Sequence, residues 1–189
     1  MNLAAPLMVA TSGIRSIGCK IDVLVESDLW PDLATTKATL VRAVKAAAAA
    51  LSIRGTELAI VLTDDSAIRL LNSDWRGIDA ATNVLSFPAV PARGEPRLLG
   101  DIVLAYETIA CEARQEDKPF AHHLAHLAVH GFLHLNGYDH ERSDDAEAME
   151  QLERDILRQL DIPDPYRPRS AAGRPKPHRR PRKRTVRSR

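Results

Sequence analysis

The sequence predicts an α+β fold: a small mixed β-sheet of about four strands flanked by helices. Three observations carry this expectation. Every strand-like run falls before Tyr106, and every long stretch after it has helical character. The resulting order, β-α-β-α-β-β-α-α-α, puts strands early and helices late, which argues for layers of sheet and helix. The third observation is the stretch AVHGFLHLNGYDH, Ala128–His140, with three histidines, two glycines and one aspartate in thirteen residues. It closes a helical run with side chains that an ordinary core would not use.

Each element has its own warrant. KIDVLVE, Lys20–Glu26, alternates polar and apolar residues and then becomes continuously apolar, as a strand does. DLATTKATLVRAVKAAAAALSI follows Pro31 and is rich in Ala and Leu, which lose little on becoming helical. ELAIVLT, Glu57–Thr63, is a short apolar run suited to a buried strand. DDSAIRLLNSDW begins with aspartates, which favour a helix N-terminus. NVLSFP and LLGDIVLAY are two further strands, joined by the Pro- and Gly-bearing loop AVPARGEP. ETIACEARQED is a helix stopped before Pro119, and FAHHLAHLAVHGFLHLN is the next, ending before Gly137. SDDAEAMEQLERDILRQL is the last helix, with Ser143 as its expected N-cap and acids in its first turn.

The length of 189 residues suits one domain with terminal excess, and a hydrophobic content of 44% is ordinary for a globular chain. No apolar run reaches the roughly 18 residues of a membrane span, so no membrane partner is expected. The stretch MNLAAPLMVATSG lacks the basic start of a secretory signal and reads as a tail or an added strand. Cys19 and Cys111 make no disulfide framework, so a reduced, cytoplasmic setting is expected. The net charge of +1 conceals an asymmetry. From Arg167 onward there are eleven Lys/Arg and no Asp/Glu, which leaves 15 basic and 25 acidic residues in the rest, a net of about −10. The expected organisation is an N-terminal extension over 1–19, a folded body over 20–166 and a disordered basic tail over 167–189. The tail holds too few large apolar side chains to offset its ordering entropy.

The histidine stretch matches H-E-x-x-H-x-x-G-x-x-H at every position but one, and Gly131 stands where zinc proteases have glutamate. It therefore predicts a zincin-like histidine helix. His130 and His134 are four apart, with Cβ atoms roughly 5–6 Å apart on one helix face. Gly137 permits a reversal that swings His140 toward them. Three protein ligands leave a coordination position open, the arrangement of a catalytic metal site. Cys111 is a fourth ligand only if its helix lies alongside. His126 sits one turn before His130 and either touches a ligand or substrate group, or is a partly buried histidine with a backbone partner. His122 and His123 are expected near the surface. Asp139 is placed to orient a ligand histidine. Without the glutamate, protonation of a leaving amine loses its usual donor. Gly131 instead offers close backbone approach, or room beside the metal. Phosphodiester cleavage fits better, since polarising a phosphoryl oxygen needs only a Lewis acid while water or a ribose 2′-hydroxyl attacks.

HGFLHLNGYDH closely resembles the signature of the YbeY-type endoribonucleases, the bacterial rRNA maturation factors. The resemblance extends to LNSDWRGIDAATNVLSFP (Leu71–Pro88), LLGDIVLA (Leu98–Ala105) and AHHLAHLAVH, and covers about residues 20–166. It implies a single-strand-specific, metal-dependent endoribonuclease that matures the 3′ end of small-subunit (16S) rRNA and serves ribosome quality control. It also implies one zinc ion per chain on His130, His134 and His140, a functional arginine at Arg76, and a positively charged channel leading to the metal. The partners so implied are single-stranded RNA, rRNA and the small ribosomal subunit. A guanidinium suits that role because it offers a bidentate fork to phosphate and keeps its charge. Thr82 and Ser86 either add phosphate hydrogen bonds or cap local turns. Where the family often has Lys-Pro before the threonine, this chain has Ala80–Ala81, which removes a positive charge near the channel. The basic tail lies beyond the family's usual end and reads either as an RNA tether or as a solvated terminus. Two alternatives differ in class: another metal hydrolase, and a non-catalytic ribosome-assembly or RNA-binding factor with a stabilising metal.

Overall fold

A computed structural model describes residues 18–90, 97–140 and 142–167. The elements run β1 (Cys19–Val25), α1 (Leu33–Ala50), β2 (Thr56–Thr63), α2 (Asp65–Arg76), β3 (Val84–Pro88), β4 (Arg97–Ala105), α3 (Tyr106–Gln115), α4 (Phe120–Leu135) and α5 (Ser143–Gln159). Their order and kind are those expected from periodicity, with ends shifted by at most three residues. Of the expected extension (1–19) and tail (167–189), residues 1–17 and 168–189 lie outside the described residues, as does most of the Pro/Gly loop, and Cys19 already belongs to β1.

The four strands form one mixed sheet in the order β1-β2-β4-β3. β1, β2 and β4 are parallel, and β3 returns antiparallel along β4 as an edge strand. Period-two alternation on β4 divides the sheet's two faces. Ile102 and Leu104 belong to the main core with α1, α4 and α5, while Val103 and Ala105 belong to a smaller cluster with Ile68 of α2 and Leu85 of β3. The histidine helix α4 thus packs on one face of the sheet and α2 on the other. α4 has ten buried residues, so its histidines are the polar minority of a core helix.

Local chemistry sets the helix starts. Asp32 accepts from the Thr35 N–H at 3.0 Å and Asp64 from the Ala67 N–H at 2.9 Å, each satisfying a donor that the first turn leaves unpaired. Glu107 and Asp65 cross-link α2 and α3. Glu107 accepts from the Asp65 N–H, and Asp65 accepts from both the backbone N–H and the hydroxyl of Thr108. Ser143 does not perform its expected capping. Arg142 occupies the cap position without a side-chain capping bond, and the Ser143 hydroxyl donates to Asp144 instead. Being already helical, Ser143 cannot fold its side chain back over the first turn.

Candidate metal centre

α4 delivers His130 and His134 on its last two turns and ends at Leu135. Gly137 then adopts φ +86°, a left-handed conformation that favours glycine. The turn closes with the Gly137 N–H on the His134 carbonyl and the Tyr138 N–H on the Leu133 carbonyl. His140 is thereby returned to the other two histidines. One ring nitrogen from each of the three lies within 4.8 Å of the others. The His130 and His140 rings are stacked with centroids 5.6 Å apart, and His134 meets both edge-on.

The donor set fits a divalent cation. Nδ1 of His134 donates to the Tyr138 carbonyl at 2.9 Å, and Nδ1 of His130 donates to the Glu153 carboxylate at 2.8 Å. Both Nε2 atoms are left with lone pairs, yet they face each other at 3.1 Å. Two lone pairs do not attract, and a shared cation reconciles them. Tetrahedral zinc–nitrogen bonds of about 2.0–2.1 Å would place such atoms roughly 3.3 Å apart. A proton is the weaker alternative, because burial and the neighbouring His130 and His140 lower the pKa of His134 below its usual value. No fourth side chain joins the three among the described residues. Cys111 is exposed on α3 and accepts from Gln115, so it is not a ligand here. His140 is exposed, leaving the centre open on one side.

Gly131 resolves the departure from the protease pattern. A Cβ there would come within 3.0 Å of Ile102 Cγ2 and 3.1 Å of Ser86 Oγ. The residue faces the sheet, and its lack of a side chain lets α4 lie close against β3 and β4. The Ser86 hydroxyl donates to the Gly131 carbonyl at 3.2 Å, so Ser86 ties edge strand to helix rather than capping a turn.

Several expectations need correction. Asp139 does not orient a histidine ring; it accepts from the backbone N–H of His140 at 2.7 Å and shapes the turn. His123 is buried, with Nε2 bonded to Glu112 at 2.8 Å, which also accepts from Asn83. His126 does bear on His130, through the Glu153 carboxylate that both bond.

Glu153 is the site residue that sequence reading missed. It is fully buried on α5, and it accepts from His126, His130 and the Tyr166 hydroxyl. Burial acts to raise its pKa, but the bonds from His126 and His130, with that from Tyr166, prevail and hold it at about 2. A signal was available: Glu153 lies four residues after Met149, three before Ile156 and four before Leu157, all buried. An acid inside an apolar helical stripe asks for a partner.

Arg76 is the last residue of α2 and is exposed. Its helix packs on the sheet face opposite α4, and no hydrogen bond or ion pair engages the guanidinium among the described residues. Its neighbour Arg69, in contrast, is held bidentate by Asp79.

With this geometry in view, the comparisons with known proteins are specific. Residues 26–161 match the family model described as Endoribonuclease YbeY. The Endoribonuclease YbeY of Bradyrhizobium diazoefficiens is 58% identical over 153 residues, covering 77% of this chain and 84% of the relative. That of Rhodopseudomonas palustris (strain BisB18) is 55% identical over 159 residues, covering 80% and 95%. A solution structure from Thermotoga maritima is 25% identical, covering 78% of this chain and 99% of that one, with a TM-score of 0.46. The family match runs from just after β1 to just past α5 and includes all three converging histidines, and on that match this chain belongs to the YbeY endoribonuclease family.

Proposed function

We infer that the chain is a single-strand-specific, metal-dependent endoribonuclease of small-subunit rRNA 3′-end maturation and ribosome quality control, with zinc as its working ion. The observation that carries this reading is the convergence of His130, His134 and His140 on one point with a side left open. These three residues would hold the ion. When bound, a divalent ion supplies Lewis acidity toward a phosphoryl oxygen. The protein's own contribution is to fix the imidazoles: Tyr138 orients His134, Glu153 orients His130, and the Gly137 turn presents His140.

Carboxylate placement disfavours peptide hydrolysis. Asp139 is bonded to the His140 backbone and Glu153 to two histidines and a tyrosine. Neither is free to carry a proton to a leaving amine, and Gly131 supplies none. Arg76, unpaired among the described residues, is the proposed phosphate clamp on family membership rather than on nearness to the three histidines, and its guanidinium can form a two-pronged contact with RNA. Residues 167–189 are the proposed RNA tether, and the acidic body makes their eleven positive charges the chain's main cationic segment.

The decisive experiment measures zinc per chain and cleavage of single-stranded RNA for wild type, Arg76→Ala and His134→Ala, with folding checked for each. Expected are about one zinc per wild-type chain, loss of both metal and cleavage in His134→Ala, and retained metal with cleavage slowed about 10²-fold in Arg76→Ala. Equal cutting by all three would mean a contaminant and would overturn the reading. Cleavage-independent function that survives Arg76→Ala, with His134→Ala unfolded, would favour a non-catalytic assembly factor.

A further inference from the structure

Glu153 is the only acid in the buried set of the described residues. Its two oxygens are divided between partners. Oε1 accepts from Nδ1 of His130 at 2.8 Å, while Oε2 accepts from Nε2 of His126 at 2.8 Å and from the Tyr166 hydroxyl. Among the described residues no lysine or arginine pairs with it. The adjacent Arg154 turns away, to Glu150 and Asp164, and lies over the Tyr166 ring at 4.9 Å. Among the described residues, a carboxylate is thus sunk in the core with only histidine and tyrosine donors, beside the helix that carries His130 and His134.

Two physical consequences follow. An N–H held on Nδ1 leaves the lone pair of His130 on Nε2, the atom that faces His134 at 3.1 Å. An anion one imidazole away from a divalent cation also offsets charge that three neutral ligands leave uncompensated. Both effects need Glu153 where it stands, and His126 and Tyr166 keep it there by occupying its other oxygen. Tyr166 comes from beyond α5, so the chain's return after Pro165 is part of the centre's support.

We propose that Glu153 is the positioning residue of the metal centre, fixing His130 in the Nδ1–H tautomer so that Nε2 is presented to the ion, with Tyr166 and His126 clamping the carboxylate. This rests on the reading that the three histidines hold a metal, but not on the chemistry done there. The test compares wild type with Glu153→Leu, which removes both acceptors at similar volume, and with Glu153→Gln, which restores one. Tyr166→Phe removes one clamp, and Ile156→Val is a mild core change on the same helix that touches no histidine. Zinc affinity is measured by competition with a chromophoric chelator. The ring tautomer of His130 is read by ¹⁵N NMR of the metal-free protein, and thermal melts report folding.

Glu153→Leu should bind zinc about 10- to 100-fold more weakly and lose the single Nδ1–H tautomer. Glu153→Gln and Tyr166→Phe should fall between it and wild type, and Ile156→Val should bind as wild type does. If Glu153→Leu does not fold, the Gln and Phe variants decide, since each keeps a hydrogen-bonding or aromatic replacement in place. Unchanged affinity and tautomer in the folded variants would overturn the proposal. So would an equal loss in Ile156→Val, which would reduce the effect to stability alone. Wild-type protein that binds zinc without cutting RNA would sink the nuclease reading and leave the role of Glu153 standing. Zinc bound equally by all folded variants, with RNA still cut by wild type, would do the reverse.

Discussion

Gly131 shows how one missing side chain can serve two ends. Its absence of a Cβ brings α4 against Ile102 and Ser86, and it also deprives the centre of the carboxylate that peptide hydrolysis uses. Restoring the protease residue is therefore expected to fail structurally. Gly131→Glu must insert a side chain where a Cβ alone already meets neighbours at 3.0–3.1 Å. Overpacking of this kind costs about 1–3 kcal/mol, more than the roughly 1 kcal/mol that replacing a mid-helix glycine returns. A melting temperature lower than wild type, with no gained peptidase activity, is the expected result. Equal or higher stability would show that the sheet yields at this point. At this scale the convergence of His130, His134 and His140 was legible, because spacing and a glycine hinge constrain three residues at once. Glu153 was not read, because its partners lie 23 and 27 residues away in sequence.

At the scale of elements, the sequence carried most of the information, and its errors are instructive. Asp64 reads as a helix start and acts as one, bonded to the Ala67 N–H at 2.9 Å. Asp64→Ala should cost about 1 kcal/mol, visible as a lower melting temperature with metal content unchanged. A stability unaffected by that substitution would mean that the Glu107–Asp65–Thr108 cross-link alone holds the start of α2. Ser143 illustrates the limit. Cap preference is a local statistic, but a one-residue shift in where α5 begins moves the serine inside the helix, where it cannot cap. His123 shows the same limit in another form. Two adjacent polar residues on an exposed-looking helix end are indistinguishable until Glu112 of α3 is placed opposite one of them.

For the molecule as a whole, the core does not run through the histidine cluster. Its buried residues span the sheet, α1, α4 and α5, and the three histidines sit at its rim. Removing zinc with a chelator should therefore leave a cooperatively folded chain, and adding it back should raise the melting temperature with concentration. Stabilisation of about 2.7 kcal/mol is expected at one hundred times the dissociation constant. Loss of the folded state on chelation would make the metal structural instead. The basic segment makes a separate prediction. A chain ending at Tyr166 keeps the Glu153 clamp and should keep its zinc. It should nevertheless bind single-stranded RNA more weakly at low salt. If about six contacts are lost, the slope of log affinity against log salt should become shallower by about four, at roughly 0.7 per contact. An unchanged slope would remove the tether from consideration. The sequence by itself determined the elements, their order, the three histidines that converge and the family, because each follows from residue type at short spacing or from a contiguous motif. Only the tertiary structure decided that α2 and α4 lie on opposite faces of the sheet, that Gly131 meets Ile102 and Ser86, and that an acid of α5 reaches His130. Those facts depend on which distant surfaces pack together, and such long-range pairing leaves no period in the chain to read.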